Sequence, residues 1–178
     1  PEVAYLIGIG DGDVRRRIAA ELSPVTGWRA TTVVHPAATV GADVRLGEGV
    51  VLAAGARVTT NVTLGVHTQL NVQAVVSHDC IVGDYVTFSP GVLINGTTTI
   101  GHGAFFGTGA VVTPNLTIGA GALVGAGAGG VGDIAPGVPG AGVPARPLRP
   151  AGPPRGCPSR PARRGGALRG GGWRRRRT

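Results

Sequence analysis

Apolar residues recur in this chain at every sixth position. From Val34 through Leu52, Leu70, Phe88 and Phe106 to Val124 the spacing never slips. The residue after each is mostly Gly, Ser, Asn or Thr, and the position four further on is small or apolar, from Ala38 to Ala128. Such a period fits neither the ~3.6 residues of a helical turn nor the long units of helical solenoids. It matches the hexapeptide β-helix. Three hexads make one triangular coil of 18 residues. With strands ~4.8 Å apart, the repeats predict a little over five coils and a prism roughly 25 Å tall. Val34, Leu52, Leu70, Phe88, Phe106 and Val124 then share one inner column, with Phe88 in the layer next to Phe106. The expected fold class is mainly β.

With 33 glycines and 14 prolines in 178 residues, composition alone points to disorder. The apolar period argues against it, because stacked coils bury a continuous inner column. The formal charge of +8 is not spread evenly. Residues 1–148 carry seven Arg and nine acids, whereas residues 149–178 carry ten Arg and no acid, so the basicity belongs to the C-terminal segment. Cys80 and Cys157 have no metal-ligand spacing and form no disulfide framework, which predicts a reduced, cytoplasmic setting. No apolar run approaches the ~18 residues of a membrane span. The initial Pro1 and the absence of Met predict that the natural chain starts earlier.

Residues 1–27 read as a strand–turn–helix fragment: an apolar run Ala4–Ile9, a Gly-Asp-Gly-Asp turn, and a helix over Val14–Leu22 with Asp13 as N-cap, ended by Ser23-Pro24. The glycines from Gly8 to Gly12 are a plain βα turn or a weak phosphate loop. Arg15, Arg16 and Arg17 read as a solvated helix face. Residues 28–147 form the repeat body, entered through the β-rich Trp28–Val34, with His35 at the first turn. Residues 148–178 are rich in Arg, Gly and Pro. They read as a disordered tail, a nucleic-acid-binding arm, or the product of a shifted reading frame in a GC-rich gene.

Reactive groups are sparse inside the repeat, so the run Asn71–Cys80 stands out. His78 falls near a strand end, two residues after the inward Val76, with Asp79 beside it to orient the imidazole. Adding 18 to 78 places Gly96 over His78 on the next coil, so a base would face a backbone amide lacking a side chain. That pair suits acyl transfer, the amide steadying an oxyanion; an exposed structural histidine is the alternative. His67 and His102 are expected on solvated corners, and Cys80 in the core.

The run Val76-Ser-His-Asp-Cys-Ile-Val-Gly-Asp-Tyr-Val86, together with Asn71, Ser89-Pro-Gly91, Phe105–Gly119 and Gly142-Val-Pro-Ala-Arg146, resembles the hexapeptide sugar acetyltransferases. Within that group it is similar to the sialic acid O-acetyltransferases and UDP-4-amino-sugar N-acetyltransferases. The resemblance implies a left-handed β-helix preceded by the remnant of a Rossmann-like, nucleotide-sugar-binding α/β domain, assembled as a homotrimer. It implies acetyl-CoA as cosubstrate, no metal, and acetyl transfer to an amino or hydroxyl group of a nucleotide-activated or sialic-type sugar. His78 becomes the general base and Asp79 its orienting acid. Gly96, Gly107, Gly125 and Arg146 become acetyl-CoA contacts, and Asn71 lies near the acceptor. Thr87 stands where some members carry a second histidine; where that histidine helps hold the cofactor or acceptor, its role falls here to Thr87, to water, or to nothing. A non-catalytic β-helix scaffold, or nucleic-acid binding through the Arg-rich segment, are the functional alternatives.

Overall fold

A computed structural model describes residues 3–148. The repeat folds into short parallel strands of mostly two residues, paired in an 18-residue register: Val75 aligns with Arg57 on one side and Leu93 on the other. Three faces result. One stacks the strands from Val33–Val34 to Leu123–Val124, the second those from Thr39–Val40 to Gly129–Gly130, and the third those from Arg45–Leu46 to Thr117–Ile118. The whole is a parallel β-solenoid of about six turns, matching the left-handed β-helix expected from the resemblance.

The prism is taller than the little over five coils expected, because pairing continues past the point where the apolar period fails. Gly129–Gly130 still pairs with Val111–Val112, since a β ladder needs only backbone groups. Ile134 bridges Ile118 and fills the core in place of an inward residue at the regular spacing. Pro139–Ala141 adds a further strand beside Leu123–Val124 and is closed by antiparallel Arg146–Pro147.

The core is a narrow column of Val, Ile, Leu and Ala, with Phe88 and Phe106 fully buried. Their rings stack at 5.0 Å between centroids and 14° between planes, in the adjacent layers the register predicts. In the first coil Val34 and Val40 remain exposed, because no described coil lies before them. At every corner from Asp43 to Gly127 one residue per hexad adopts positive φ, and eight of these are not glycine, among them Asn61, His67, Asp79 and Tyr85. Each such turn costs on the order of 1 kcal/mol in a non-glycine residue. The cost is tolerated because the coils on either side fix the corner. The residue after each inward position presses on the next coil: a Cβ on Gly107 would lie 2.5 Å from the Ala126 nitrogen. At Asn71, Asn95 and Thr113 that residue bonds instead, as Asn95 Nδ2 does to the Val112 carbonyl at 2.7 Å.

The N-terminal segment is a β-α-β unit: β1 (Ala4–Tyr5), α1 (Gly12–Thr26) and β2 (Arg29–Ala30), with β1 and β2 parallel. It therefore runs to Ala30, past the boundary expected at 27. The N-cap is Asp11 rather than Asp13, because the Asp11 carboxylate accepts from the N–H groups of Asp13 and Val14 at 2.9 and 3.0 Å. That carboxylate already occupies the helix N-terminus, so the glycine-rich turn is a plain βα connection here. The helix passes Ser23-Pro24 and ends at Gly27, whose φ of 64° forms the left-handed cap. Proline in the last turn forfeits one hydrogen bond, which does not stop the helix.

Arg15 corrects the reading of a solvated arginine face; Arg16 and Arg17 are exposed as expected. The Arg15 side chain is fully buried between α1 and the prism. Its guanidinium donates to the carbonyls of Ile9 at 2.7 Å, His67 at 3.1 Å, Tyr85 at 2.9 Å and Val86 at 3.2 Å. It also reaches the Thr87 hydroxyl at 2.9 Å and Gln69 Oε1 at 3.4 Å. Burial pulls its pKa down to about 10, which leaves it charged at neutral pH. Gln69 Nε2 donates to the Ile7 carbonyl at 2.7 Å, completing the joint. His67 is likewise not solvated: it is buried, with its ring stacked between Tyr5 and Tyr85. Among the described residues no helix is long and apolar enough to cross a membrane. The Arg-rich segment lies outside the described residues from position 149 onward.

Replacing Arg15 with Ala strips several buried acceptors of their donor. We expect a loss of about 3–5 kcal/mol in unfolding free energy, measured by chemical denaturation. Arg15→Lys recovers only part of it, because an ammonium cannot span the same fork of acceptors.

Candidate functional site

His78 sits at the corner between the strands Val75–Val76 and Ile81–Val82. Its side chain is 56% exposed, and Nδ1 lies 2.8 Å from Asp79 Oδ2. An ionised carboxylate only accepts, so Nδ1 carries the proton and Nε2 presents its lone pair. Asp79 reaches this position through the left-handed corner, at φ 58°. Its other oxygen, Oδ1, accepts from Asn61 Nδ2 at 2.7 Å. The Asn61 amide first, and then His78, holds the Asp79 carboxyl below the usual carboxylate range.

The 18-residue arithmetic holds at this corner. The His78 ring lies over Gly96, where a Cβ would come 2.7 Å from Nε2. Gly96 is buried beneath the ring, and Thr97 N–H donates to the His78 carbonyl at 2.9 Å. Glycine is required at position 96 by the imidazole, not by its own backbone torsion. A base with an outward lone pair therefore stands against a backbone segment free of side chain, an arrangement able to accept a proton beside an oxyanion site.

The other candidates are placed elsewhere. Asn71 follows the strand Gln69–Leu70, one corner earlier in the coil, and its amide donates to the Phe88 carbonyl at 3.0 Å. Gly107 and Gly125 share that earlier corner on later coils. Coil packing alone accounts for both glycines, since a Cβ on Gly125 would lie 3.1 Å from Ala141 Cβ. Arg146 lies on the exposed closing strand of the cap. Within one chain none of these four joins His78. Thr87 is corrected more sharply. It is buried, and its hydroxyl donates to the Gly10 carbonyl at 2.7 Å while accepting from Arg15, so its hydrogen bonds are engaged in the joint.

Cys80 lies in the core, its thiol raised in pKa by burial, as the packing reading expects. His102 is exposed and pairs with Asp84 at 3.2 Å. His35 forms the first turn, its Nδ1 accepting from the Ala37 N–H at 3.0 Å. Sequence reasoning misses Asn61 as a site residue. The signal was available, because it stands 18 residues before Asp79 as Gly96 stands 18 after His78. Among the described residues no group of three or more His, Cys, Asp and Glu is placed to hold a metal.

A methyl group at position 96 displaces the imidazole without disturbing the coil. Gly96→Ala is expected to change unfolding free energy by less than ~1 kcal/mol. The nitrogen-15 NMR shift of His78 Nδ1 is expected to lose the signature of its carboxylate partner.

No family model and no curated protein matches this chain. Solved structures do. A histidine-to-asparagine mutant of perosamine N-acetyltransferase from Caulobacter crescentus, in complex with CoA and GDP-perosamine, superposes with a TM-score of 0.80 at 35% identity, covering 83% of this chain and 70% of that one. WeeI from Acinetobacter baumannii AYE gives 0.80 at 36%, covering 83% and 71%. The acetyltransferase domain of PglB from Neisseria gonorrhoeae FA1090, in complex with acetyl coenzyme A, gives 0.75 at 34%, covering 80% and 69%. With more than two thirds of each chain matched at over a third identity, along the same β-solenoid, this chain belongs to the family of hexapeptide-repeat sugar acetyltransferases.

Proposed function

We propose that this protein transfers an acetyl group from acetyl-CoA to the amino group of a nucleotide-activated sugar, with His78 as general base. The observation that carries the reading is the Asp79–His78 pair at 2.8 Å, whose outward Nε2 lies against Gly96. The solved neighbours support the substrate classes, since they hold CoA with GDP-perosamine or acetyl coenzyme A. An amine is preferred over a hydroxyl because the perosamine enzyme is an N-acetyltransferase.

The chemistry follows from the geometry. The sugar amine attacks the thioester carbonyl, and Nε2 of His78 removes the proton that the nitrogen sheds as the new C–N bond forms. The developing imidazolium is stabilised by the Asp79 carboxylate on Nδ1. The carbonyl oxygen gains negative charge, toward which the backbone N–H of Gly96 donates a hydrogen bond. Collapse of the tetrahedral intermediate breaks the C–S bond, and the imidazolium returns its proton to the departing thiolate. No covalent enzyme intermediate is needed.

Gly107, Gly125 and Arg146 lie one corner or more from His78, and Asn71 lies on the corner before it. For these residues to reach the same ligands, two prisms must face each other across a groove. A homotrimer supplies that arrangement, and mass measurement in solution tests it; a monomer has no such groove.

Free-thiol release from acetyl-CoA, measured against a panel of nucleotide 4-amino sugars and sialic acids, tests the whole reading. Turnover is expected with an amino sugar. His78→Ala is expected to lower kcat by about 10²–10⁴-fold with little change in the KM for acetyl-CoA. Unchanged thiol release in that variant overturns the role of His78, and no thiol release by the parent with any acceptor leaves a scaffold.

A further inference from the structure

The corner that carries Asp79 is occupied on successive coils by Asp43, Asn61, Asp79, Thr97 and Asn115, each at positive φ. Only at Asn61 does a side chain of this column reach across to the next: its Nδ2 donates to Asp79 Oδ1 at 2.7 Å. Asp79 then contacts His78 through the opposite oxygen, Oδ2, at 2.8 Å. A carboxylate gripped on one oxygen cannot rotate away from the imidazole it serves with the other. We propose that Asn61 is a positioning residue for acetyl transfer, holding the Asp79 carboxylate in the rotamer that orients His78. This rests on His78 being the base.

The backbone fits the task. Asn61 sits in the left-handed region at φ 53°, a conformation that Asn tolerates better than most residues. Its own N–H donates to the Ala42 carbonyl at 3.0 Å, so the turn is fixed before the side chain acts. Both ends of the relay are half exposed, at 56% for His78 and 50% for Asp79. Packing confines them on one side only, the imidazole over Gly96, and hydrogen bonds must hold the rest of the geometry. The groups facing Asp79 are His78 on its own turn, Asn61 from the coil before and Thr97 from the coil after, with Asp43 a further coil away. The Asn61 amide is the leading cause of the lowered Asp79 pKa. The sign follows: a depressed carboxyl stays ionised through neutral pH, and the interaction is lost as pH falls through its folded-state value.

The test compares Asn61→Gly and Asn61→Asp with the parent protein and with His78→Ala, in the same thiol-release assay. Glycine keeps the left-handed turn and deletes the amide; aspartate keeps the shape and replaces the donor with a second carboxylate. In Asn61→Gly, kcat is expected to fall roughly 3- to 10-fold with the KM for acetyl-CoA unchanged. The Asp79 carboxyl, followed by carbon-13 NMR, is expected to titrate at higher pH. Asn61→Asp is expected to lose more activity than Asn61→Gly. If Asn61→Gly matches the parent in kcat and in the Asp79 titration while His78→Ala is inactive, the positioning role is wrong and the catalytic reading stands. If Asn61→Gly and His78→Ala both retain full activity, the role of His78 as base is itself wrong. A rise in acetyl-CoA KM with loss of thermal stability in Asn61→Gly marks a structural role and likewise overturns the inference.

Discussion

The parallel backbone ladder at an 18-residue register is the constraint on which the rest of the structure depends. Each two-residue strand is too short to hold itself; its partners on neighbouring coils supply the hydrogen bonds and its inward side chain the burial. Because the register is the same on all three faces as far as Gly130, a residue at one corner there meets the residue 18 positions away. This converts sequence distance directly into spatial contact. His78 over Gly96, Asn61 under Asp79 and Phe88 against Phe106 are three uses of one rule, applied to an imidazole, a carboxylate and the core.

The same ladder explains why chemistry gathers at the corners. Inward positions are buried and must be apolar or small. Those after them press on the next coil and must be small, or must bond to it. Outward side chains on a fixed backbone stand at the first residue of most strands and at the corners, and most corners are held in a left-handed turn at a real conformational cost. At the Asn61–Asp79 corner that cost is offset by neighbouring coils, and the turn aims two short polar side chains at each other. A site that is half exposed to solvent thus has defined geometry without a surrounding pocket.

The repeat, its mainly β class, the inner columns and the His78–Gly96 contact were all legible in the sequence, because period and register are arithmetic. Others were hidden for specific reasons. Coils beyond Gly130 lack the apolar period, since Gly129–Gly130 pairs through backbone alone and Ile134 fills the core off the regular spacing. Arg15 looked like one of three solvated arginines, because nothing in a local pattern shows what a helix face will be pressed against. Thr87 matched a family site position, yet its hydroxyl is taken by Arg15 and Gly10, over 70 residues away in sequence.

By itself the sequence determined the scaffold and which residues share a corner, since both follow from a six-residue period folded three to a coil. The tertiary structure decided how the N-terminal unit sits on that scaffold. It buried Arg15 and His67, spent Thr87, and left His78 and Asp79 outward with Asn61 as their brace. The physical reason is one of range. A repeat propagates the same contact from coil to coil and so announces itself in the sequence. A docked unit makes each contact once, between distant residues whose spacing carries no pattern.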